Sequence, residues 1–192
     1  MAVHDEMESE PVMARKQRRP TAARVSLSRA LKGVRLFATD VDGVLTDGGM
    51  YYSESGDELK KFNTRDGMGI KLLQRAGLIT ALITMEETKL VMRRAEKLAI
   101  PEVHQGARDK LAILRALATR HGLTLEEMAY IGDDVNDVEA LKAVGFSAAP
   151  ADAMLPVLKV VDYVCHKSGG DGAVREVADL ILAAQTAKNV KR

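Results

Sequence analysis

Cysteine is almost missing from this sequence: Cys165 is the only one among 192 residues. An intramolecular disulfide is therefore excluded, as is usual for proteins that stay in a reducing compartment. Cys165 ends the mostly apolar run 160–165, so we expect a buried strand thiol rather than a reactive nucleophile.

Long apolar runs and an excess of charge of one sign are missing as well. No stretch approaches the roughly 20 apolar residues of a membrane span, and the N-terminal residues lack the apolar segment of a signal peptide. The net charge is +1, with 29% charged residues, so nothing in the composition demands an extended charged partner. We therefore expect a cytoplasmic protein that binds neither nucleic acid nor membrane.

The chain is long enough for one domain with a sizeable core, since 46% of its residues are hydrophobic. Residues 1–30 differ from the rest, because an acidic and then a basic cluster follow one another with little apolar periodicity. This pattern predicts a largely disordered leader. We assign residues 31–185 to the folded domain and residues 186–192 to a C-terminal tail.

Within the folded domain, short apolar runs alternate with amphipathic stretches. This alternation predicts an α/β fold with a doubly wound, Rossmann-like parallel sheet and helices on both faces. Residues 50–62, with a turn near residues 55–57, predict a β-hairpin flap inserted after the first strand. The predicted strands are Val34–Thr39, Leu78–Ile83, Glu102–His104, Met128–Ile131, Phe146–Ala148 and Tyr163–Cys165. The predicted helices are Gly67–Ala76, Glu87–Leu98, Asp109–His121, Val135–Val144 and Ala173–Ala184.

Chemically useful side chains follow the predicted strands at the points where the strands end. Ligands of such sheets bind beyond the carboxyl ends of the strands, so side chains from several loops should meet there. Asp40 and Asp42 follow the first strand. The others are Thr84 after the second strand, Lys110 at the start of the helix after the third, and Asp133, Asp134 and Asp137 after the fourth.

Carboxylates crowded in this way repel one another unless a cation neutralises them. Oxygen ligands without histidine or cysteine favour a hard ion, and Mg²⁺ is the ion we expect. A cation, an ammonium group and a threonine hydroxyl together suit a phosphoryl group. Asp40 is then placed to attack phosphorus, and Asp42 to protonate the leaving oxygen and later to take a proton from water. Helix caps alone would explain Asp133, but not two aspartates directly after a buried strand.

The combination Asp40-x-Asp42-Gly43-x-Leu45-Thr46-Asp47, Thr84, Lys110 and Gly132-Asp133-Asp134-x-x-Asp137 resembles the four motifs of the haloacid dehalogenase superfamily. The resemblance implies that Asp40 is the nucleophile and Asp42 the general acid and base. It implies that Thr84 and Lys110 bind phosphate. It also implies Mg²⁺ held by Asp40, the backbone carbonyl of Asp42, and Asp133, with supporting roles for Asp134 and Asp137.

Most members of that superfamily have a separate cap domain, but here the segment 48–66 is long enough only for a hairpin. This segment, together with residues 67–69 and 169–176, resembles the small capless phosphatases that act on 3-deoxy-D-manno-octulosonate 8-phosphate. The resemblance implies a homotetramer and a phosphorylated 2-keto-3-deoxy sugar acid as substrate. It also implies a role in lipopolysaccharide biosynthesis.

One departure from that subfamily bears on the substrate. The octulosonate phosphatases usually follow the motif threonine with Gly-Arg, whereas Met85 and Glu86 follow Thr84 here. A glutamate would repel a substrate carboxylate, although it could accept hydrogen bonds from sugar hydroxyls. A nine-carbon, sialic acid-like 9-phosphate is therefore an alternative substrate. A non-catalytic oligomerising module, related to the domain fused to acylneuraminate cytidylyltransferases, is an alternative function.

Two residues are candidate contacts to the substrate, and each has a simpler explanation. Glu86 could meet the sugar, but it equally fits the acidic first turn of a helix. Arg175 could pair with the substrate carboxylate, since its planar fork suits that group. A salt bridge from Arg175 to a helix neighbour is about as well supported.

Overall fold

A computed structural model describes residues 21–56 and 58–189 of the chain. In chain order the strands are β1 (Leu36–Thr39), β2 (Tyr51–Tyr52), β3 (Glu58–Leu59), β4 (Ile79–Ile83), β5 (Glu102–His104), β6 (Met128–Ile131), β7 (Phe146–Ala149) and β8 (Tyr163–Val164). The helices are α1 (Thr21–Gly33), α2 (Thr64–Arg75), α3 (Lys89–Leu98), α4 (Lys110–His121), α5 (Val138–Ala143), α6 (Leu155–Leu158) and α7 (Ala173–Asn189). Short 3₁₀ turns precede β6 and α5.

Six strands form one parallel sheet in the order β5-β4-β1-β6-β7-β8. Both faces of this sheet are covered, so β1 and β6 are buried along their whole length. Phe37 packs into the layer that contains α1, α2, α3 and α7. Its neighbours Leu36 and Ala38 pack into the opposite layer, with α4, α5 and α6. The predicted α/β fold is confirmed.

The order of the strands creates a crevice beside β1. From β1 the chain passes outward through β4 to β5 and then returns to β6 on the other side of β1. The connections therefore leave β1 in opposite directions, which opens a space beyond the carboxyl ends of β1 and β6. The loops after β1, β4 and β6 carry the predicted site residues to this space.

The predicted hairpin flap, residues 50–62, is present with shorter strands than expected. Strands β2 and β3 pair in antiparallel fashion, with Tyr51 opposite Leu59, and an isolated bridge joins Thr46 to Phe62 at the base. The described residues between β1 and α2 form only this flap and its connections. The sequence expectation of a chain without a cap domain at this point is met.

The helices of the site begin at side chains that cap them. Asp109 Oδ1 accepts a hydrogen bond of 2.9 Å from Ala112 N, so α4 starts at Lys110. The same helix ends at Gly122, whose φ of 61° is the left-handed conformation that glycine adopts without strain. These signals fix the position of Lys110 at the crevice.

The expectation of a disordered leader is wrong for residues 21–30, which belong to α1. Leu31 is buried and Leu27 packs against the same core, because residues four positions apart share one helical face. The expected start of the C-terminal tail at residue 186 is also wrong, since α7 continues to Asn189. The parts of the leader and tail at 1–20 and 190–192 lie outside the described residues.

Two further elements differ from the sequence expectation. The predicted helix over 135–144 is a 3₁₀ turn, Val135–Asp137, followed by the shorter α5. The side chain of Asp137 turns back onto the preceding loop and takes part in that loop's hydrogen bonds. The short helix α6 had no clear signal in the sequence. No helix in the described part of the chain is long and apolar enough to cross a membrane.

Candidate active site

Asp40 stands at the centre of the crevice, directly after β1. Its backbone N–H donates to Ile131 O at 3.0 Å, which extends the β1–β6 ladder by one residue and holds Asp40 in place. The side chain is buried. Its Oδ1 accepts a hydrogen bond of 2.7 Å from Val41 N, and its Oδ2 lies 2.7 Å from Lys110 Nζ. Both carboxylate oxygens therefore have fixed positions.

Lys110 joins Asp40 to a second buried carboxylate. Its Nζ lies 2.7 Å from Asp40 Oδ2 and 2.6 Å from Asp137 Oδ1, and its side chain is 1% exposed. Burial alone would lower the pKa of the Lys110 ammonium, but the charges of Asp40 and Asp137 raise that pKa above its ordinary value. Lys110 therefore stays positively charged beside the predicted nucleophile.

Asp137 is a supporting residue whose hydrogen-bonding capacity is already used. Its Oδ1 accepts from Lys110 Nζ and from the hydroxyl of Tyr130, each at 2.6 Å. Its Oδ2 accepts from the backbone N–H groups of Asp133, at 3.1 Å, and Asp134, at 3.2 Å. The supporting role expected for Asp137 fits this geometry. Tyr130 was not foreseen, because a tyrosine inside a buried strand reads as a core residue.

Asp133 offers the oxygen that a metal ion would need. Carboxylate oxygens of Asp40, Asp133 and Asp137 lie within 4.8 Å of one another. Asp133 Oδ1 is buried and has no hydrogen-bond partner in the described part of the chain. Because Asp137 is saturated, an ion here would be held by Asp40 and Asp133. An all-oxygen set with an unpaired buried carboxylate oxygen fits Mg²⁺.

The pKa values of these carboxyl groups reflect their crowding. Burial, and then the charge of Asp137, raise the pKa of Asp40 to about 8, although Lys110 opposes this shift. Burial and Asp137 likewise raise the pKa of Asp133 to about 7. A nearby cation favours the ionised form of a carboxyl group. The electrostatics of the crevice therefore fit a divalent cation at this position.

Gly43 leaves the space that Asp133 occupies. Its φ is +79°, and a Cβ at this position would collide with the carboxylate of Asp133. Gly169 approaches the same turn from the opposite side, where a Cβ would collide with the backbone carbonyl of Gly43. The turn after β1 can therefore pack closely against both loops only because these positions are glycines.

Asp42 is held by a lysine that the sequence did not single out. Lys60, which follows β3 in the flap, has its Nζ 2.5 Å from Asp42 Oδ1 and 2.5 Å from Glu86 Oε2. Burial opposes the charge on Lys60, but the hydrogen bonds that Lys60 donates to Asp42 and Glu86 raise its pKa above the ordinary value. Nothing in the sequence distinguishes Lys60 from its neighbour Lys61. Only the register of the hairpin turns Lys60 inward.

Six of the predicted residues line one open cavity of about 160 Å³. Thr84 is buried after β4, and its Oγ1 accepts a hydrogen bond of 3.3 Å from Glu86 N. The cavity is lined by Asp40, Asp42, Thr84 and Asp133, together with Met85, Glu86, Asp134 and Asn136. Glu86 is therefore at the site, as expected for a substrate contact, although one of its oxygens is paired with Lys60.

Arg175 is the candidate that the structure does not bring to this cavity. Its Nε lies 2.9 Å from both carboxylate oxygens of Asp179, one turn further along α7. Its backbone N–H donates to the buried Asp66, which also accepts from Gly172 N. The helix-neighbour salt bridge is thus the alternative that the structure supports for Arg175.

Comparisons with known proteins show the family of the chain. A family model of haloacid dehalogenase-like hydrolases matches residues 80–177. The 3-deoxy-D-manno-octulosonate 8-phosphate phosphatase KdsC of Salmonella typhi is 44% identical over 154 residues, which are 80% of this chain and 82% of that protein.

Solved structures give the same result. The octulosonate phosphatase from Moraxella catarrhalis, solved in complex with magnesium, phosphate and KDO, is 41% identical, with a TM-score of 0.82. The match covers 86% of this chain and 95% of the Moraxella chain. The cobalt-bound phosphatase from Haemophilus influenzae is 40% identical, with a TM-score of 0.79 over 84% of this chain and 94% of that one. With its acidic crevice, its fold and these similarities, the chain belongs to the haloacid dehalogenase-like hydrolase family.

Proposed function

We propose that this protein is a Mg²⁺-dependent phosphatase that hydrolyses 3-deoxy-D-manno-octulosonate 8-phosphate. The observation that carries the proposal is the meeting of Asp40, Asp42 and Asp133 at one cavity, with Lys110 Nζ 2.7 Å from Asp40 Oδ2. The name of the Salmonella typhi relative supports this choice of substrate. The reaction would contribute to lipopolysaccharide biosynthesis, in which that sugar acid is used.

In this proposal Asp40 attacks phosphorus and forms an aspartyl-phosphate while the bond to the sugar oxygen breaks. Lys110, already beside Asp40, offsets negative charge on the phosphoryl oxygens, and the Thr84 hydroxyl donates a hydrogen bond to one of them. Asp42 gives its proton to the leaving sugar oxygen. A water molecule then attacks phosphorus of the aspartyl-phosphate and gives a proton to Asp42. This step breaks the bond to Asp40, releases phosphate and restores the Asp40 carboxylate.

Mg²⁺, when bound, supplies positive charge that neutralises the phosphoryl group and the crowded carboxylates. The residues that would hold it are Asp40, Asp133 and the backbone carbonyl of Asp42. Asp134 and Asp137 support the loop that carries Asp133. Asp137 Oδ2 accepts hydrogen bonds from the backbone N–H groups of Asp133 and Asp134.

The ion pair between Lys60 and Glu86 bears on the choice of substrate. An unpaired Glu86 would repel the carboxylate of the eight-carbon substrate, which is the reason for the nine-carbon alternative. Lys60 Nζ, 2.5 Å from Glu86 Oε2, offsets part of the charge of Glu86, since Lys60 also pairs with Asp42. This pairing weakens the objection to the eight-carbon sugar acid, which we favour on this ground and on the names of the relatives. A purely structural module would not need so complete a set of polar residues.

A homotetramer in which the flaps pack together completes the proposal. The flap exposes several large apolar side chains: Met50, Tyr51, Tyr52 and Leu59. Such a concentration of exposed apolar area is typical of protein–protein interfaces.

The single cysteine is buried and free, in keeping with the cytoplasm as the place of action.

The test is phosphate release from the eight-carbon 8-phosphate and a nine-carbon 9-phosphate, each with Mg²⁺ and with EDTA. We expect a higher kcat/KM for the eight-carbon substrate, and activity that requires Mg²⁺. Asp40→Asn should remove turnover while the protein stays folded, because the amide is a poor nucleophile. A preference for the nine-carbon substrate, or activity retained in Asp40→Asn, would refute the corresponding part of the proposal.

A further inference from the structure

We propose that Lys60 is a positioning residue for proton transfer by Asp42, so that the flap is part of the catalytic apparatus. This inference rests on the proposed phosphatase function. In the proposed function Lys60 binds neither phosphate nor metal, so its burial has had no explanation; the inference gives it a role.

The burial of Lys60 sets it apart from its neighbour in the hairpin. The side chain of Lys60 is 2% exposed, whereas that of Lys61 is 66% exposed and lies 3.3 Å from Asp47. A lysine is seldom buried to this degree without partners. Lys60 has two of them, Asp42 in the loop after β1 and Glu86 in the loop after β4.

The contact with Lys60 leaves the two oxygens of Asp42 in different situations. Oδ1 is held by Lys60 Nζ and also accepts a longer hydrogen bond of 3.4 Å from Thr46 Oγ1. Oδ2 is buried and has no hydrogen-bond partner among the described residues. With Oδ1 anchored by Lys60, Oδ2 is the oxygen left to carry the proton.

The charge on Lys60 favours the first of the two proton transfers, in which Asp42 becomes ionised. As the phosphorus–oxygen bond to the sugar breaks, the proton on Asp42 Oδ2 passes to the departing oxygen and leaves a carboxylate. The Lys60 ammonium offsets this new negative charge, and it is present before the reaction begins. When water later attacks the aspartyl-phosphate, its proton returns to Oδ2. Lys60 keeps its own protons throughout.

Glu86 holds Lys60 from the opposite side. A single carboxylate beside a flexible lysine would leave the ammonium free to rotate away, whereas two carboxylates at 2.5 Å fix it between them. Glu86 thus acts through Lys60, and we expect its replacement to have a smaller effect than replacement of Lys60 itself. On this inference, the second position after Thr84 acts on Asp42 through Lys60.

The test compares two leaving groups, since only one needs protonation. The sugar alkoxide of 3-deoxy-D-manno-octulosonate 8-phosphate requires a proton to depart, while the p-nitrophenolate of p-nitrophenyl phosphate departs without one. The value of kcat/KM reports the steps up to departure of the leaving group. We expect Lys60→Met to lower kcat/KM at least about tenfold for the sugar phosphate and less than about threefold for the aryl phosphate.

The controls separate positioning from folding. Lys61→Met, which removes the neighbouring exposed lysine, should change neither value, and Lys60→Arg should recover part of the loss on the sugar phosphate. If Lys60→Met does not fold, the variant Lys60→Met/Glu86→Gln, which also removes the stranded carboxylate, is measured in its place. An equal loss on both substrates, or no loss on either, would overturn the role of Lys60. Wild-type protein that hydrolyses neither substrate would instead overturn the proposed function.

Discussion

The hydroxyl of Tyr130 donates a hydrogen bond of 2.6 Å to Asp137 Oδ1, the same oxygen that lies 2.6 Å from Lys110 Nζ. Tyr130 belongs to the central strand β6, and its side chain packs in the hydrophobic layer beside α4 and α5. One carboxylate oxygen therefore connects the hydrophobic core to the lysine that faces Asp40. The position of Lys110 depends on a residue that never lines the cavity.

Replacing Tyr130 with phenylalanine should test this connection. We expect Tyr130→Phe to lower the free energy of unfolding by about 1–2 kcal/mol, because Asp137 loses a buried hydrogen bond. We also expect kcat to fall by up to about tenfold, since Lys110 is held less firmly. Urea unfolding and steady-state kinetics measure the two effects. Tyr52→Phe is the control, because Tyr52 is 67% exposed, and equal stability of the two variants would contradict the prediction.

The sequence predicted the parts of the site that come directly after strands, since a strand that ends at the crevice carries its next residue there. Asp40, directly after β1, and Thr84, directly after β4, are such residues. Lys60 could not be predicted, because Lys60 and Lys61 are identical in type and only the hairpin register decides which is buried. Arg175 was misleading for a related reason: its spacing to Asp179 allows a helical salt bridge that competes with any ligand.

In the fold, too, local sequence patterns predicted some elements, whereas others depend on tertiary contacts. Helix α7 and the strands of the sheet follow strong apolar patterns, and their order was predicted correctly. Helix α1 was missed because its large apolar side chains are few, and the charged residues before it resemble those of disordered segments. Its stability comes from tertiary contacts, such as that of Leu31 with the core, which a local pattern does not reveal.

The metal-binding role of Asp133 predicts a specific response to Mg²⁺. We expect Asp133→Asn to raise the Mg²⁺ concentration for half-maximal activity at least about tenfold, or 1.4 kcal/mol in binding free energy. Asp179→Asn is the control, because this exposed carboxylate pairs with Arg175 on α7 and does not line the cavity. It should cost at most about 1 kcal/mol of stability. Titration of EDTA-treated protein with Mg²⁺ decides, and an unchanged midpoint in Asp133→Asn would remove Asp133 from the metal site.

The close approach of Gly43 to Asp133 predicts that Gly43→Ala disturbs metal binding as well as the backbone. Gly56, in the flap turn, has a similar φ of +88°, but a Cβ there meets nothing within 4 Å. Both alanine variants should lose about 1–2 kcal/mol of stability from the left-handed backbone. Only Gly43→Ala should also weaken Mg²⁺ activation, because its Cβ displaces the carboxylate. Equal Mg²⁺ midpoints in the two variants would contradict this explanation.

The exposed apolar surface of the flap predicts how assembly can be broken. Leu59 is 60% exposed in the single chain, so burying it between subunits would contribute about 1–2 kcal/mol per copy. We expect Leu59→Ser to shift the protein from tetramer to smaller species in size-exclusion chromatography with light scattering. Met92→Ser, an exposed residue on α3, should leave the mass unchanged. A wild-type protein that elutes as a monomer would refute the tetramer.

The last prediction concerns acid stability and a cluster far from the cavity. Glu102 is buried at the edge strand β5, with His121 Nε2 at 2.8 Å, Arg120 Nη1 at 2.7 Å and His104 Nε2 at 3.3 Å. Burial alone would raise the pKa of Glu102, but the hydrogen bonds from His121 and Arg120 lower it below its ordinary value of 4.5. Folding therefore favours the ionised form. This contribution to stability is present above about pH 4.5 and is lost as the pH falls through the lowered pKa.

Glu102→Gln should accordingly lower the free energy of unfolding by about 1–3 kcal/mol at pH 6, because a buried charged acceptor is removed. The difference from wild type should shrink as the pH is lowered further, once wild-type Glu102 takes up a proton and loses its charge. Urea unfolding over a series of decreasing pH values measures the difference, with Glu96→Gln on the exposed face of α3 as a control expected to show none. A difference that stays constant over the whole series would show that the shape of Glu102, and not its charge, stabilises this edge of the sheet.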